Sequence, residues 1–94
     1  MYFRHGFILE DLPESQQWLG QALVAAFPGI TIQTTSSVQE AHRTLAGGCA
    51  PDVALIDLGL PDGSGVSIIE EIKKTRPHCL CVVTSIYNDD AHVF

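Results

Sequence analysis

Asp52-Val53-Ala54-Leu55-Ile56-Asp57-Leu58-Gly59-Leu60-Pro61-Asp62-Gly63-Ser64-Gly65 is the stretch whose reading decides the fold. Val53 to Ile56 is apolar without alternation, the pattern of a central parallel strand covered on both faces. The run ends at one acid, Asp57. Gly59, Pro61, Asp62, Gly63 and Gly65 then give a glycine-rich, turn-competent loop. Past it, Val66, Ile68, Ile69 and Ile72 recur at helical spacing. Lys73, Lys74 and Arg76 fall at the negative pole of that helix, and Pro77 stops it. The fragment therefore reads strand, loop, helix.

Working outward, the same unit repeats. Before it, Tyr2 to Leu9 closes on Phe7-Ile8-Leu9, a short buried strand that stops at Glu10-Asp11. Pro13 and Glu14 suit the first turn of a helix. Trp18, Leu19, Leu23, Ala26 and Phe27 continue it, and Pro28-Gly29 ends it. Ile30 to Thr34 alternates and is rich in β-branched residues, as a half-exposed strand is. Ser36 and Ser37 offer N-caps for a short helix with Val38, Ala41 and Leu45, closed by Gly47-Gly48. After Pro77, Leu80 to Val83 is a fourth apolar strand ending at Thr84-Ser85. Asn88, Asp89 and Asp90 read as the cap and first turn of a further helix. Four strands and three helices in alternation predict an α/β fold, a doubly wound parallel sheet with right-handed crossovers.

Size and charge narrow the functions. The 94 residues suffice for one domain and one core. A net charge of −6 argues against nucleic-acid binding by this segment, since backbone affinity needs clustered Lys and Arg. No run approaches the roughly 18 apolar residues of a membrane span. The start lacks the long apolar core of a signal peptide, so the cytoplasm is the expected location. Cys79 and Cys81 stand two apart and point to one face of their strand. With Cys49, and no second pair at zinc spacing, they read as reduced small hydrophobes.

Ligands of an open parallel sheet bind beyond the carboxyl ends of its strands. Here those ends carry Glu10-Asp11, Asp57 and Thr84-Ser85. If the first and third strands are neighbours, three carboxylates share one edge. A pair of carboxylates about 4 Å apart repels by roughly 4 kcal/mol at an effective dielectric near 20. A cation relieves that, and a few hard oxygen donors with room for water and phosphate suit Mg²⁺ rather than zinc. Asp57, held by a rigid apolar strand beside a glycine loop, is the candidate nucleophile for phosphoryl transfer. Thr84 offers a hydroxyl to a phosphoryl oxygen.

Taken singly, each residue also has a structural reading. Asp57 and Glu10-Asp11 could cap helices, and Thr84 and Ser85 could be ordinary strand-end hydroxyls. Asp62 and Asp89 read as loop or cap residues with no chemistry. His5, His42, His78 and His92 are scattered and are taken as structural or solvated. Trp18 reads as a helix contact. The joint occurrence of polar groups at successive strand ends is what favours a site.

With Glu10-Asp11, the Asp52 to Gly65 segment and Val82-Val83-Thr84-Ser85, the chain resembles the receiver domains of two-component response regulators, collinearly over nearly its whole length. The resemblance implies a flavodoxin-like sheet of order 2-1-3-4-5, of which this chain would supply 2-1-3-4. It implies Asp57 as phosphoacceptor, Asp11 as a direct Mg²⁺ ligand with Glu10 acting through water, and the Gly59 carbonyl completing the protein's ligands. It implies Thr84 as the switch hydroxyl, a sensor histidine kinase as phosphoryl donor, and a switch rather than an enzyme. It also implies a fifth strand ending in lysine, and a following helix, which the 94 residues lack. Residues 1–94 are accordingly read as a receiver domain incomplete at its C-terminus, with self-association as a homodimer or segment-swapped assembly expected through the uncovered fourth strand. A DNA-binding output domain would lie outside this segment. One alternative is a receiver-like interaction module that acts without phosphorylation. An aspartate-nucleophile phosphatase is disfavoured, because its general acid two residues on would fall at Gly59.

Overall fold

The computed structural model describes residues 3–84. In chain order the elements are β1 (His5–Leu9), α1 (Pro13–Ala26), β2 (Thr31–Thr35), α2 (Val38–Ala46), β3 (Val53–Ile56), β4 (Gly59–Leu60), β5 (Gly63–Ser64), α3 (Val66–Thr75) and β6 (Leu80–Val83). The four long strands form one parallel sheet in the order β2-β1-β3-β6. This is the expected 2-1-3-4 order, with a small hairpin inserted before the last strand.

The apolar runs fill both faces, as their lack of alternation required. Phe7, Leu9, Ala54 and Ile56 pack with Val38 and Ala41 of α2 and with Ile68 and Ile72 of α3. Ile8, Val53 and Leu55 pack with Leu19 and Leu23 of α1. Burying such a side chain is worth about 1.5–3 kcal/mol, so these two clusters dominate the stability of the domain. Cys79 lies in the first cluster, with Cys49 and Cys81 against it, and all three are free thiols. Burial pushes the Cys79 thiol up to about 12, as befits an inert core group.

Three local features differ from the sequence expectation. The first strand begins at His5, two residues before the Phe7-Ile8-Leu9 run. The N–H groups of Arg4 and His5 donate instead to the Asp52 carboxylate, at 2.8 and 2.9 Å. The second strand is shifted by one residue, because the Ile30 N–H closes a turn onto Phe27 O and ladder bonding begins with Thr31 N–H to Arg4 O. Finally, the glycine-rich loop is itself ordered. Gly59 pairs with Ser64 and Leu60 with Gly63, forming a two-stranded antiparallel hairpin. Asn88, Asp89 and Asp90, together with Ser85 and His92, lie outside the described residues.

Candidate functional site

The sheet register sets the site. Leu9 pairs with Ile56, and Ile56 with Val83, so the three strands end in one row. Ladder bonding then runs one residue further. Glu10 N–H donates to Thr35 O at 3.0 Å, Asp57 N–H to Leu9 O at 2.9 Å, and Thr84 N–H to Ile56 O at 2.9 Å. Glu10, Asp57 and Thr84 are therefore fixed by the same backbone network that holds the core.

Glu10, Asp11 and Asp57 each present a carboxylate oxygen within 4.8 Å of the others. Glu10 is only 6 % exposed. One of its carboxylate oxygens accepts from Leu12 N–H at 3.0 Å, and its carbonyl accepts from the Gln16 side-chain amide at 2.6 Å. Glu10 thus ties Leu12, the N-cap residue of α1, to the carboxylate cluster. Burial, with the nearby Asp11 and Asp57 carboxylates as smaller causes, raises its carboxyl above the ordinary range. Gly59 N–H donates to Asp57 Oδ1 at 3.0 Å, which anchors the start of the hairpin on the central acid.

The Thr84 hydroxyl is buried and has no hydrogen-bond partner among the described residues. Such a group costs about 1–3 kcal/mol, so its retention points to a partner that arrives with a ligand. It lines a cleft of about 360 Å³ together with Glu10, Asp57, Leu12, Ser15, Trp18 and Leu19. The donor set matches a small hard cation with an anion beside it: oxygen ligands only, an acidic balance, and one unsatisfied hydroxyl for the anion.

The structure thus assembles Glu10, Asp11, Asp57, Gly59 and Thr84 in one place. Sequence reasoning missed one residue of the cleft wall and the partner of one nearby loop acid. Trp18 is 65 % exposed and forms part of the cleft wall rather than a packing contact. Asp62 was assigned only to a loop or cap, and it does cap a helix, but one that lies earlier in the chain. Its carboxylate accepts from Val38 N–H at 2.9 Å and Gln39 N–H at 3.0 Å, at the start of α2. Among the described residues, His5 and His78 are exposed, and His42 bridges helices by contacting Glu71 on α3.

Comparison with known proteins agrees with this geometry. Residues 7–94 match the family model of the response regulator receiver domain. The photosynthetic apparatus regulatory protein RegA of Cereibacter sphaeroides is 36 % identical over 59 residues, covering 63 % of this chain and 32 % of RegA. The chain spans a third or less of the length of the curated relatives it matches. The signal receiver domain of a DNA-binding response regulator from Colwellia psychrerythraea superposes with a TM-score of 0.75 at 27 % identity, covering 96 % of this chain and 74 % of that one. The response regulator TrrA of Thermotoga maritima, in complex with Mg²⁺ and beryllofluoride, has a TM-score of 0.75 at 22 % identity, with 90 % and 71 % covered.

Proposed function

Because this chain belongs to the response regulator receiver domain family, we propose that it is a phosphoacceptor switch in which Asp57 takes a phosphoryl group from a phosphohistidine of a sensor histidine kinase. The observation that carries the reading is the meeting of three carboxylates with a buried, unpartnered hydroxyl in one cleft.

In the transfer, an Asp57 carboxylate oxygen forms a bond to phosphorus as the P–N bond to the donor imidazole breaks. The imidazole leaves with the bonding electron pair. Gly59 N–H holds one Asp57 oxygen at 3.0 Å and so orients the carboxylate for in-line attack. Mg²⁺, held by Asp11 and Asp57 directly, by Glu10 through water and by the Gly59 carbonyl, would offset the charge of the phosphoryl oxygens. Thr84 donates its hydroxyl to a phosphoryl oxygen. Since that bond exists only after transfer, it stabilises one state over the other, which is what a switch requires.

Receiver domains are signalling switches, and residues 1–94 form part of one that acts in the cytoplasm, with self-phosphorylation and slow self-dephosphorylation as its further chemistry. Among the described residues no helix is long and apolar enough to cross a membrane. By analogy with the DNA-binding relatives, its output is transcription regulation through a separate domain. The last strand also exposes Leu80, Val82 and Val83. An apolar strand edge of this kind favours self-association, and light scattering that returns only monomer at high concentration would remove that part of the reading.

The direct test is incubation with acetyl phosphate and Mg²⁺, followed by intact-mass measurement. A single added phosphoryl group that Asp57→Asn abolishes is expected. A folded wild-type protein that gains no mass overturns the reading.

A further inference from the structure

We propose that Asp62 is a positioning residue for phosphoryl transfer, holding the hairpin so that Gly59 keeps its bond to the Asp57 carboxylate, and thereby coupling α2 to the phosphoacceptor. The inference rests on the phosphoacceptor reading of Asp57 and adds a residue to it.

The geometry is a short mechanical chain. Pro61 and Asp62 form the tip of the β4–β5 hairpin, between the paired residues Leu60 and Gly63. At the tip, the Asp62 carboxylate spans two backbone N–H groups of α2, those of Val38 and Gln39. These bonds are charge-assisted and act on the positive end of a helix dipole, the setting in which an exposed carboxylate gains most. They hold its carboxyl below the usual range, with Gln39 N–H the larger cause and Val38 N–H next. At the base, Gly59 N–H binds Asp57 Oδ1, and Gly65 N–H binds Leu58 O at 3.1 Å. Between tip and base lie only two residue pairs of ladder, so displacement of the tip is transmitted to Gly59.

The cap that Asp62 supplies is long-range, so it joins two elements as well as satisfying a helix end. Helix α2 already has its own cap, because Ser37 Oγ accepts from Glu40 N–H at 3.0 Å. The Glu40 carboxylate also reaches back to Ser36 N–H at 2.7 Å. From its own segment the helix start thus satisfies only Glu40 N–H, and the Asp62 carboxylate, 24 residues from Val38, takes the Val38 and Gln39 N–H groups and so ties the hairpin tip to α2. The hairpin gains from that tether more than the helix does, since a two-stranded ribbon alone is marginally stable in water. Gly63 follows at φ +152°, a backbone conformation that L side chains rarely adopt, which lets the tip turn this tightly.

Ser37→Ala and Asp62→Ala both remove a cap from the same helix end, but only Asp62→Ala releases the hairpin. Two measurements on the folded full chain separate the roles. The first is amide hydrogen exchange at Gly59, which requires neither metal nor phosphate. The second is the rate of phosphoryl incorporation from acetyl phosphate with Mg²⁺. We expect Asp62→Ala to speed Gly59 exchange and to slow labelling by about tenfold, the usual scale for a residue that orients a metal or nucleophile ligand. Ser37→Ala should leave both near wild type, and Asp62→Asn should fall between. Equal effects of Ser37→Ala and Asp62→Ala on Gly59 exchange overturn the proposal. If wild type is never labelled yet Gly59 exchange responds to Asp62→Ala alone, the phosphoacceptor reading fails, and with it the catalytic meaning of Asp62.

Discussion

Gly65 lies against the backbone of Asp57 so closely that a β-carbon on it would sit 2.2 Å from the Asp57 carbonyl oxygen and 2.7 Å from Ile56 Cγ2. Both of those atoms belong to the rigid centre of the molecule, because Asp57 N–H is bonded to Leu9 O and Ile56 is fully buried. No flexible side chain can yield. Gly65→Ala is therefore expected to cost about 3 kcal/mol, at the upper end for overpacking, measured by urea unfolding. Its remaining folded fraction should also label slowly, since relief of the clash moves Asp57. By contrast, Gly59 has open space around the position of its β-carbon, and Gly59→Ala should stay within about 1 kcal/mol of wild type.

Removing the central charge should stabilise the metal-free fold. Asp57→Asn keeps the shape of the side chain and ends its repulsion with Glu10 and Asp11. The burial that raises the Glu10 carboxyl already shows that negative charge is disfavoured there. A gain of about 1 kcal/mol at neutral pH is expected, well below the bare Coulomb value because the site is partly solvated. Wild type, in turn, should gain about 1.4 kcal/mol from Mg²⁺ at ten times its dissociation constant, and the variant much less. The single tryptophan, Trp18, lines the cleft and offers a fluorescence readout of the same titration. Identical Mg²⁺ responses in both proteins would contradict the metal assignment.

How much of this was legible in the residues follows from the range of the interactions. Val53 to Ile56 declared a doubly covered strand because burial on two faces leaves a continuous apolar run. Ser37 and Glu40 declared the start of α2 because both act within one turn. The Glu10, Asp57 and Thr84 row was legible because each stands just past a strand, and parallel register brings strand ends together. The Asp62 tether to Val38 and Gln39 was not, because an acid after a proline in a loop carries no mark of which helix it will cap. The hairpin was hidden for a similar reason, since two-residue strands show no periodicity. Trp18 shows the same limit at the site itself, where a large apolar residue looks alike whether it packs or lines a cleft.

Asp52 sets the acid limb of stability at the opposite end of the sheet. Its carboxylate accepts from Arg4 and His5 N–H, which lower its pKa from 3.8, with Arg4 the larger cause. In the window below 3.8 the unfolded chain binds the proton more readily than the fold does, so stability rises with pH there. The contribution is complete above that value and is lost as pH falls through the lower, folded value. Asp52→Asn should cost about 1 kcal/mol at pH 7, discounted for exposure. Urea midpoints of the two proteins should converge once pH falls below the folded-state value of Asp52. A constant difference down to that pH would assign the effect to packing.

Thr84 gives the sharpest test, because one substitution should act with opposite sign in the two states of the switch. In the free protein its hydroxyl is buried and lacks a partner among the described residues. Thr84→Val keeps the branched shape at the end of β6 and removes the unsatisfied group, so the free protein should gain about 1 kcal/mol. With beryllofluoride and Mg²⁺ the same hydroxyl acquires its acceptor, and losing it should weaken beryllofluoride binding about tenfold, the equivalent of one good hydrogen bond. A merely structural threonine would shift both states alike and leave the affinity unchanged. Thermal unfolding with and without beryllofluoride reads both effects in one experiment, and a crossing of the two proteins' stabilities is the expected result.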